Sequence, residues 1–186
     1  MKKTFIGHKF QLLNSKKTGI ILELNGWCSE NMIEKYTVSF DTECKIERIT
    51  KEHISIENKV STKDFYNRLI RDIQSSNKKT REFASKILCD FMEFEITDIN
   101  INILKPGIEK IIEQIKIENN VTIEQILVAS LFEFISSEKL TKKEEIELLE
   151  RLTEINSSQI CNYLNEEYYL KIPKVKKYVK LNKLTT

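Results

Sequence analysis

His8 and His53 are the only histidines among the 186 residues, and so the only side chains whose ordinary pKa suits proton transfer near neutral pH. Imidazole chemistry also needs a nucleophile or a second acid beside it. No GxSxG, HExxH or glycine-rich phosphate loop supplies one. Cys28, Cys44, Cys89 and Cys161 are scattered, with no CxxC pair. A zinc site built from Cys28, Cys44, His8 and His53 would lack the paired knuckles from which structural zinc draws its ligands. The expectation is four free thiols, no catalytic constellation, no metal and no cofactor. A small enzyme using His8 or His53 ranks third among the functional readings.

Charge is more telling than catalytic chemistry. The formal total of +2 hides a separation: residues 97–170 hold 14 acidic and 7 basic side chains, while residues 171–186 hold six lysines and no acid. Such asymmetry speaks to partners. Lys171, Lys174, Lys176, Lys177, Lys180 and Lys183, with Tyr178 among them, suit a phosphate backbone and a stacked base. The competing expectation is that this tail docks on the acidic segment through Ile172, Val175, Val179 and Leu181. Glu147, Glu150 and Glu154 recur at i, i+3 and i+7, one stripe of a helix. That stripe is either the wet side of an amphipathic helix or a row of carboxylates imitating phosphates. A helix-turn-helix over residues 122–155 is rejected, because its reading helix would press glutamates against phosphates.

Trp27, the only tryptophan, stands beside Gly26 in a polar stretch from Asn25 to Lys35 that reads as an exposed loop. Tryptophan is enriched among residues that dominate interface energetics. Trp27 and Tyr36 are therefore the candidate partner contacts of the first part of the chain, whereas Phe10 and Phe40 are expected in the core.

The elements that must position these residues change character near residue 60. Before it, apolar residues alternate in short bursts, predicting strands over Lys9 to Leu13, Gly19 to Leu24, Tyr36 to Phe40, Cys44 to Ile49 and His53 to Ile56. In the third strand Tyr36, Val38 and Phe40 take one face and Thr37 and Ser39 the other, which predicts a half-buried strand. After it, helix starts recur. Ser61 with Asp64, Asn77, Pro106 as a first helical residue, Thr122 with Gln125, Thr141 with Glu144, and Ser157 or Ser158 each precede apolar residues at helical spacing. The segments GHKFQLLNSKKTGIILEL, YTVSFD and HISI resemble SH3-like barrels of the Tudor and KOW kind over residues 5–58. The resemblance implies a small curled barrel and no specific ligand.

The expected class is α+β: a small SH3-like five-stranded barrel (1–60), a bundle of five to six helices (61–170) and a basic tail (171–186). No apolar run approaches the roughly 20 residues a spanning helix needs, and a soluble cytoplasmic protein is expected, with no membrane partner. Abundant isoleucine, lysine and asparagine, with alanine only at 84 and 129, match AT-rich coding sequence, as in low-GC bacteria and their phages or plasmids. The functional expectation is a non-enzymatic binding protein with a protein or nucleic-acid partner. The runner-up is a phage- or mobile-element inhibitor of the anti-CRISPR type, blocking a host nucleic-acid enzyme.

Overall fold

The structure, a computed structural model, describes residues 6–25, 35–43, 45–96 and 99–182. Trp27, Cys28, Cys44 and Lys183 lie outside the described residues. The chain divides into two compact units, residues 1–88 and 89–186.

In the first unit, β1 (His8–Leu12), β2 (Thr18–Asn25), β3 (Lys35–Phe40), β4 (Ile46–Thr50) and β5 (Ile54–Lys59) form one antiparallel sheet in the order β4-β3-β2-β1-β5. The sheet is not closed, since β4 and β5 are its two edges. Laid flat, those edges would stand about 19 Å apart at the usual strand spacing. Only a 3-10 turn, Lys51–His53, joins them. The four steps from Thr50 to Ile54 reach about 14 Å at full stretch. The sheet must therefore curl. Register shifts between His8 and Phe10 and between Ile21 and Glu23 supply local bends. The curl gathers Phe10, Ile21, Tyr36, Val38, Phe40 and Ile54 into one cluster, with Ile49 and Ile56 against it.

Gly19 is the pivot of that cluster. It pairs with Phe10 on β1 and Phe40 on β3, whose rings meet edge-on at 5.6 Å. A Cβ on Gly19 would lie 2.1 Å from the Ser39 carbonyl oxygen and 2.7 Å from the Phe10 ring. Only glycine fits there.

The half-buried reading of β3 is corrected, because Thr37 and Ser39 are as buried as Tyr36 and Val38. The cause is α1 (Thr62–Asp72), capped by the Ser61 hydroxyl, whose Tyr66, Leu69 and Ile70 are buried and whose polar side chains reach Ser39 on the sheet's second face. The Ser39 hydroxyl donates to the buried Asp72 carboxylate. Arg71 adds Nε and Nη2 bonds of 2.8 and 2.6 Å to the same carboxylate. Arg68 donates to the Ser39 carbonyl (3.2 Å) and pairs with Asp41. The face looked wet because its residues are small and polar. It is dry because charged partners arrive from 30 residues downstream. At the β4 edge, the Ile46 N–H donates to the Thr80 hydroxyl of α2 (Lys78–Phe94) at 3.3 Å.

The second unit holds the end of α2, α3 (Ile101–Ile117), α4 (Val121–Ser136), α5 (Lys142–Leu152), α6 (Ser158–Leu164) and α7 (Pro173–Asn182). Seven α-helices are present among the described residues. Two predicted helix features shift. Pro106 lies inside α3, because Asn100 caps the helix a turn and a half earlier. Asn120, not Thr122, caps α4. Phe94, near the end of α2, is 69% exposed. The capping box of Thr141 and Glu144 opens α5, and Ser157 caps α6. Among the described residues no helix is long and apolar enough to cross a membrane.

Candidate functional site

The tail is a helix with two faces. Val175 and Val179 of α7 are buried, and Lys176, Lys177 and Lys180 are exposed on the opposite side. The period of 3.6 dictates that split, since residues 175 and 179 stack one turn apart while 176 and 180 point away from them. Tyr178 is half-buried, and its hydroxyl donates to the carbonyls of Ile155 (2.9 Å) and Ser157 (3.2 Å). Its phenol hydroxyl is thus built into the α5–α6 connection, while the ring stays half-buried. Lys174 turns sideways and pairs with Glu154 at 2.9 Å. Lys171 is exposed just ahead of the helix. Ile172 is half-buried and Leu181 is 56% exposed, so the docking uses the two valines and little else of the predicted apolar set.

The predicted carboxylate stripe is divided. Glu154 is occupied by Lys174, whose hydrogen bond holds its carboxyl below the ordinary range. Glu147 lies 3.7 Å from Lys143, with both side chains well exposed, and it borders an open groove of about 390 Å³ between α3 and α5. Ile108, Phe134, Leu140 and Leu148 contribute apolar lining to this groove. Two α3–α5 ion pairs span it. Lys105 meets Glu144 at 2.5 Å, and Arg151 grips Glu109 with bonds of 3.0 and 2.6 Å. Lys105 and then Thr141 hold the Glu144 carboxyl down at about 2.

Across Leu140, on the other side of the α5 start, lies an open pocket of about 500 Å³. Tyr168, Tyr169, Glu138, Glu145, Glu166 and Lys142 line it. A train of aromatic rings supports its wall. Tyr163 stacks on Phe132 at 4.7 Å, Phe132 meets Tyr169 at 5.6 Å, and Tyr169 meets Tyr168 at 5.3 Å. Tyr168 is 50% exposed at the end of that train. The Lys142 ammonium sits 4.5 Å from the Tyr168 ring centroid and hydrogen-bonds its hydroxyl. It also reaches both Glu145 oxygens, at 3.2 and 3.1 Å. Glu138 follows α4 with φ of 59°, the left-handed conformation usually given to glycine at a helix end. Sequence reasoning missed this pocket. The one signal was the run Glu166-Glu167-Tyr168-Tyr169, acids beside paired tyrosines.

The first unit contributes less. Tyr36 is completely buried in the sheet cluster, which corrects its place as a partner contact. The alternation that made β3 recognisable is what turns Tyr36 inward. His8 and His53 stand at opposite ends of the β1–β5 ladder, which runs from His8 opposite Lys59 to Leu12 opposite Ile54. That places them about 15 Å apart along the strands. His8 Nδ1 lies 2.7 Å from the Glu57 carbonyl oxygen, and His53 bonds the Thr50 hydroxyl. They share no site. Among the described residues, no cluster of three histidine, cysteine or acidic side chains is arranged to hold a metal ion. No protein-family model, curated protein or solved structure matches this chain, so its own geometry carries the functional reading.

Proposed function

We propose that this chain is a non-enzymatic binding protein that engages the phosphate backbone of a nucleic acid through α7. The supporting observation is the ridge of Lys176, Lys177 and Lys180, opposite the buried Val175 and Val179, on a helix without an acidic residue. Phosphate contacts of this kind supply affinity without sequence readout. A helix docked by its own valines presents its lysines without ordering a tail on binding, which spares that entropy. We read the first unit as an SH3-like barrel. The pairing of β1 with both β2 and β5, and the curl that three linking residues require, support that reading.

Fluorescence anisotropy with labelled duplex DNA and RNA tests the proposal. Binding should be strong at low salt and fall steeply as salt rises. The triple replacement Lys176→Gln, Lys177→Gln, Lys180→Gln should lower the salt slope on duplex DNA by roughly 2.7. Failure of the intact protein to bind any polynucleotide at low salt would remove this reading.

The second reading, a phage- or mobile-element inhibitor that imitates phosphates, keeps Glu147 and Glu150 but loses Glu154 to Lys174. It requires a stoichiometric complex with a basic nuclease that Glu147→Lys with Glu150→Lys abolishes.

A further inference from the structure

The pocket beside Tyr168 has a chemistry that the α7 ridge does not use. Glu138, Glu145 and Glu166 face it against the single cation Lys142. Among the described residues neither Glu138 nor Glu166 takes part in an ion pair, while Glu145 is shared with Lys142. Tyr168 offers a half-exposed ring whose angle is set by Tyr169 and, behind it, Phe132 and Tyr163. A tyrosine face with carboxylates around it is the environment in which an ammonium or guanidinium is held by ring quadrupole and charge together. Lys142 sits at the hydroxyl end of the Tyr168 ring, bonded to that hydroxyl and to Glu145, and leaves the ring face open. Lys142 is 60% exposed along its side chain and rooted in the first turn of α5, so it covers one side of an open concavity of about 500 Å³ and leaves the rest vacant.

We infer that this pocket is a receptor for a basic side chain, lysine or arginine, presented by an extended segment of a partner protein. Charge complementarity selects the occupant, since three carboxylates against one ammonium leave room for further positive charge. The rigid ring supplies contact area with little loss of rotamer freedom on binding. Lys142 competes for Glu145 and the Tyr168 hydroxyl, so an incoming guanidinium takes the open Tyr168 face and gains Glu145 as the Lys142 ammonium swings into solvent. This inference is independent of the nucleic-acid reading, because no α7 lysine lines the pocket.

Isothermal titration of the full chain with an acetylated Gly-Arg-Gly-Arg-Gly peptide amide, against the same peptide with glutamine in place of arginine, tests it. The arginine peptide should bind with one-to-one stoichiometry and the glutamine peptide should not. Tyr168→Leu should weaken binding about fivefold, whereas Tyr168→Phe, which keeps the ring face, should retain most of it. Lys142→Ala should tighten binding. Glu138→Gln with Glu166→Gln should weaken it while leaving Tyr168 and its neighbours untouched. Equal binding by wild type and Tyr168→Leu would reduce the effect to diffuse charge attraction and overturn the assignment, as would equal affinity for the two peptides. Concentration-dependent self-association abolished by the α7 triple glutamine variant would place the chain's own lysines in the pocket, and would likewise overturn a separate protein partner.

Discussion

Lys174 on α7 bonds Glu154 beyond the end of α5, Nζ to Oε1 at 2.9 Å, so the lysine-rich helix meets a glutamate of the acidic segment there. The charges of the two segments meet there and diverge elsewhere, since Lys176, Lys177 and Lys180 turn outward. What holds α7 in place is the pair of buried valines together with the Tyr178 hydroxyl, not the ion pair. Val175→Ala and Val179→Ala should each cost about 2 kcal/mol, two buried methyl groups plus the cavity they leave. Lys174→Gln should leave the urea midpoint unchanged, because both partners are solvated. A larger loss from Lys174→Gln than from Val179→Ala would mean that the ion pair, not the valines, docks the helix.

The Asp72 network predicts an unusual pH dependence. Burial pushes the Asp72 carboxyl above its ordinary 3.8, and bonds from Ser39 and Arg71 offset only part of that. The folded state therefore holds the proton more tightly than the unfolded chain. Its contribution to stability is complete below the ordinary value and is lost as pH rises through the raised one. Relative to Asp72→Asn, which cannot titrate, the wild type should lose stability as pH rises above the ordinary 3.8. Asp72→Ala, which removes the acceptor of both Ser39 and Arg71, should cost about 1–3 kcal/mol. Denaturant titrations across pH decide this, and a wild-type advantage over Asp72→Asn that grows with pH would contradict it.

The opposite sign holds at the start of α5. With Lys105 and Thr141 holding Glu144 at about 2, its contribution is present above the ordinary value of 4.5 and disappears as pH falls toward 2. Glu144→Gln should flatten the acid limb of the stability curve over that window. Thr141→Ala, which removes the cap itself, should cost about 1 kcal/mol at neutral pH. Thermal melts of the two variants at pH values on both sides of the window separate these effects.

Gly19→Ala should be among the most damaging single-methyl changes in the chain. The new Cβ meets the Ser39 carbonyl at 2.1 Å, and that backbone is pinned in the β2–β3 ladder. A loss of roughly 3 kcal/mol, with disrupted near-ultraviolet circular dichroism, is expected. Full native stability in this variant would contradict the close approach of β2 and β3.

Glu138 sets stability against binding. Its left-handed φ of 59° strains a side chain at a position that favours glycine. Glu138→Gly should raise stability by about 0.5–1 kcal/mol while weakening the arginine peptide. Unchanged stability on this replacement would show that the conformation carries no strain.

How much of this was legible in the residues follows from the range of the interactions. Strand positions in the first unit, the caps at Ser61, Thr141 and Ser157, and the helical character beyond residue 60 depend on neighbours within a few positions, and all can be read from local pattern. Pro106 misled because proline suits a first turn, while the capping oxygen that decides the start belongs to Asn100. Aromatic character does not reveal which way Tyr36 or Tyr178 turns. Burial of Tyr36 is set by the curled sheet, and that of Tyr178 by carbonyls more than 20 residues away.

Composition and local order thus determined an α+β chain with opposed charges and no familiar catalytic motif. Tertiary structure alone decided that Ser39 meets Asp72, that Lys174 pairs with Glu154, and that Tyr168, Glu138 and Lys142 surround one pocket. The reason is physical. Hydrophobic period and capping act along the backbone, whereas a site is made by side chains tens of residues apart, brought together when apolar surface leaves water.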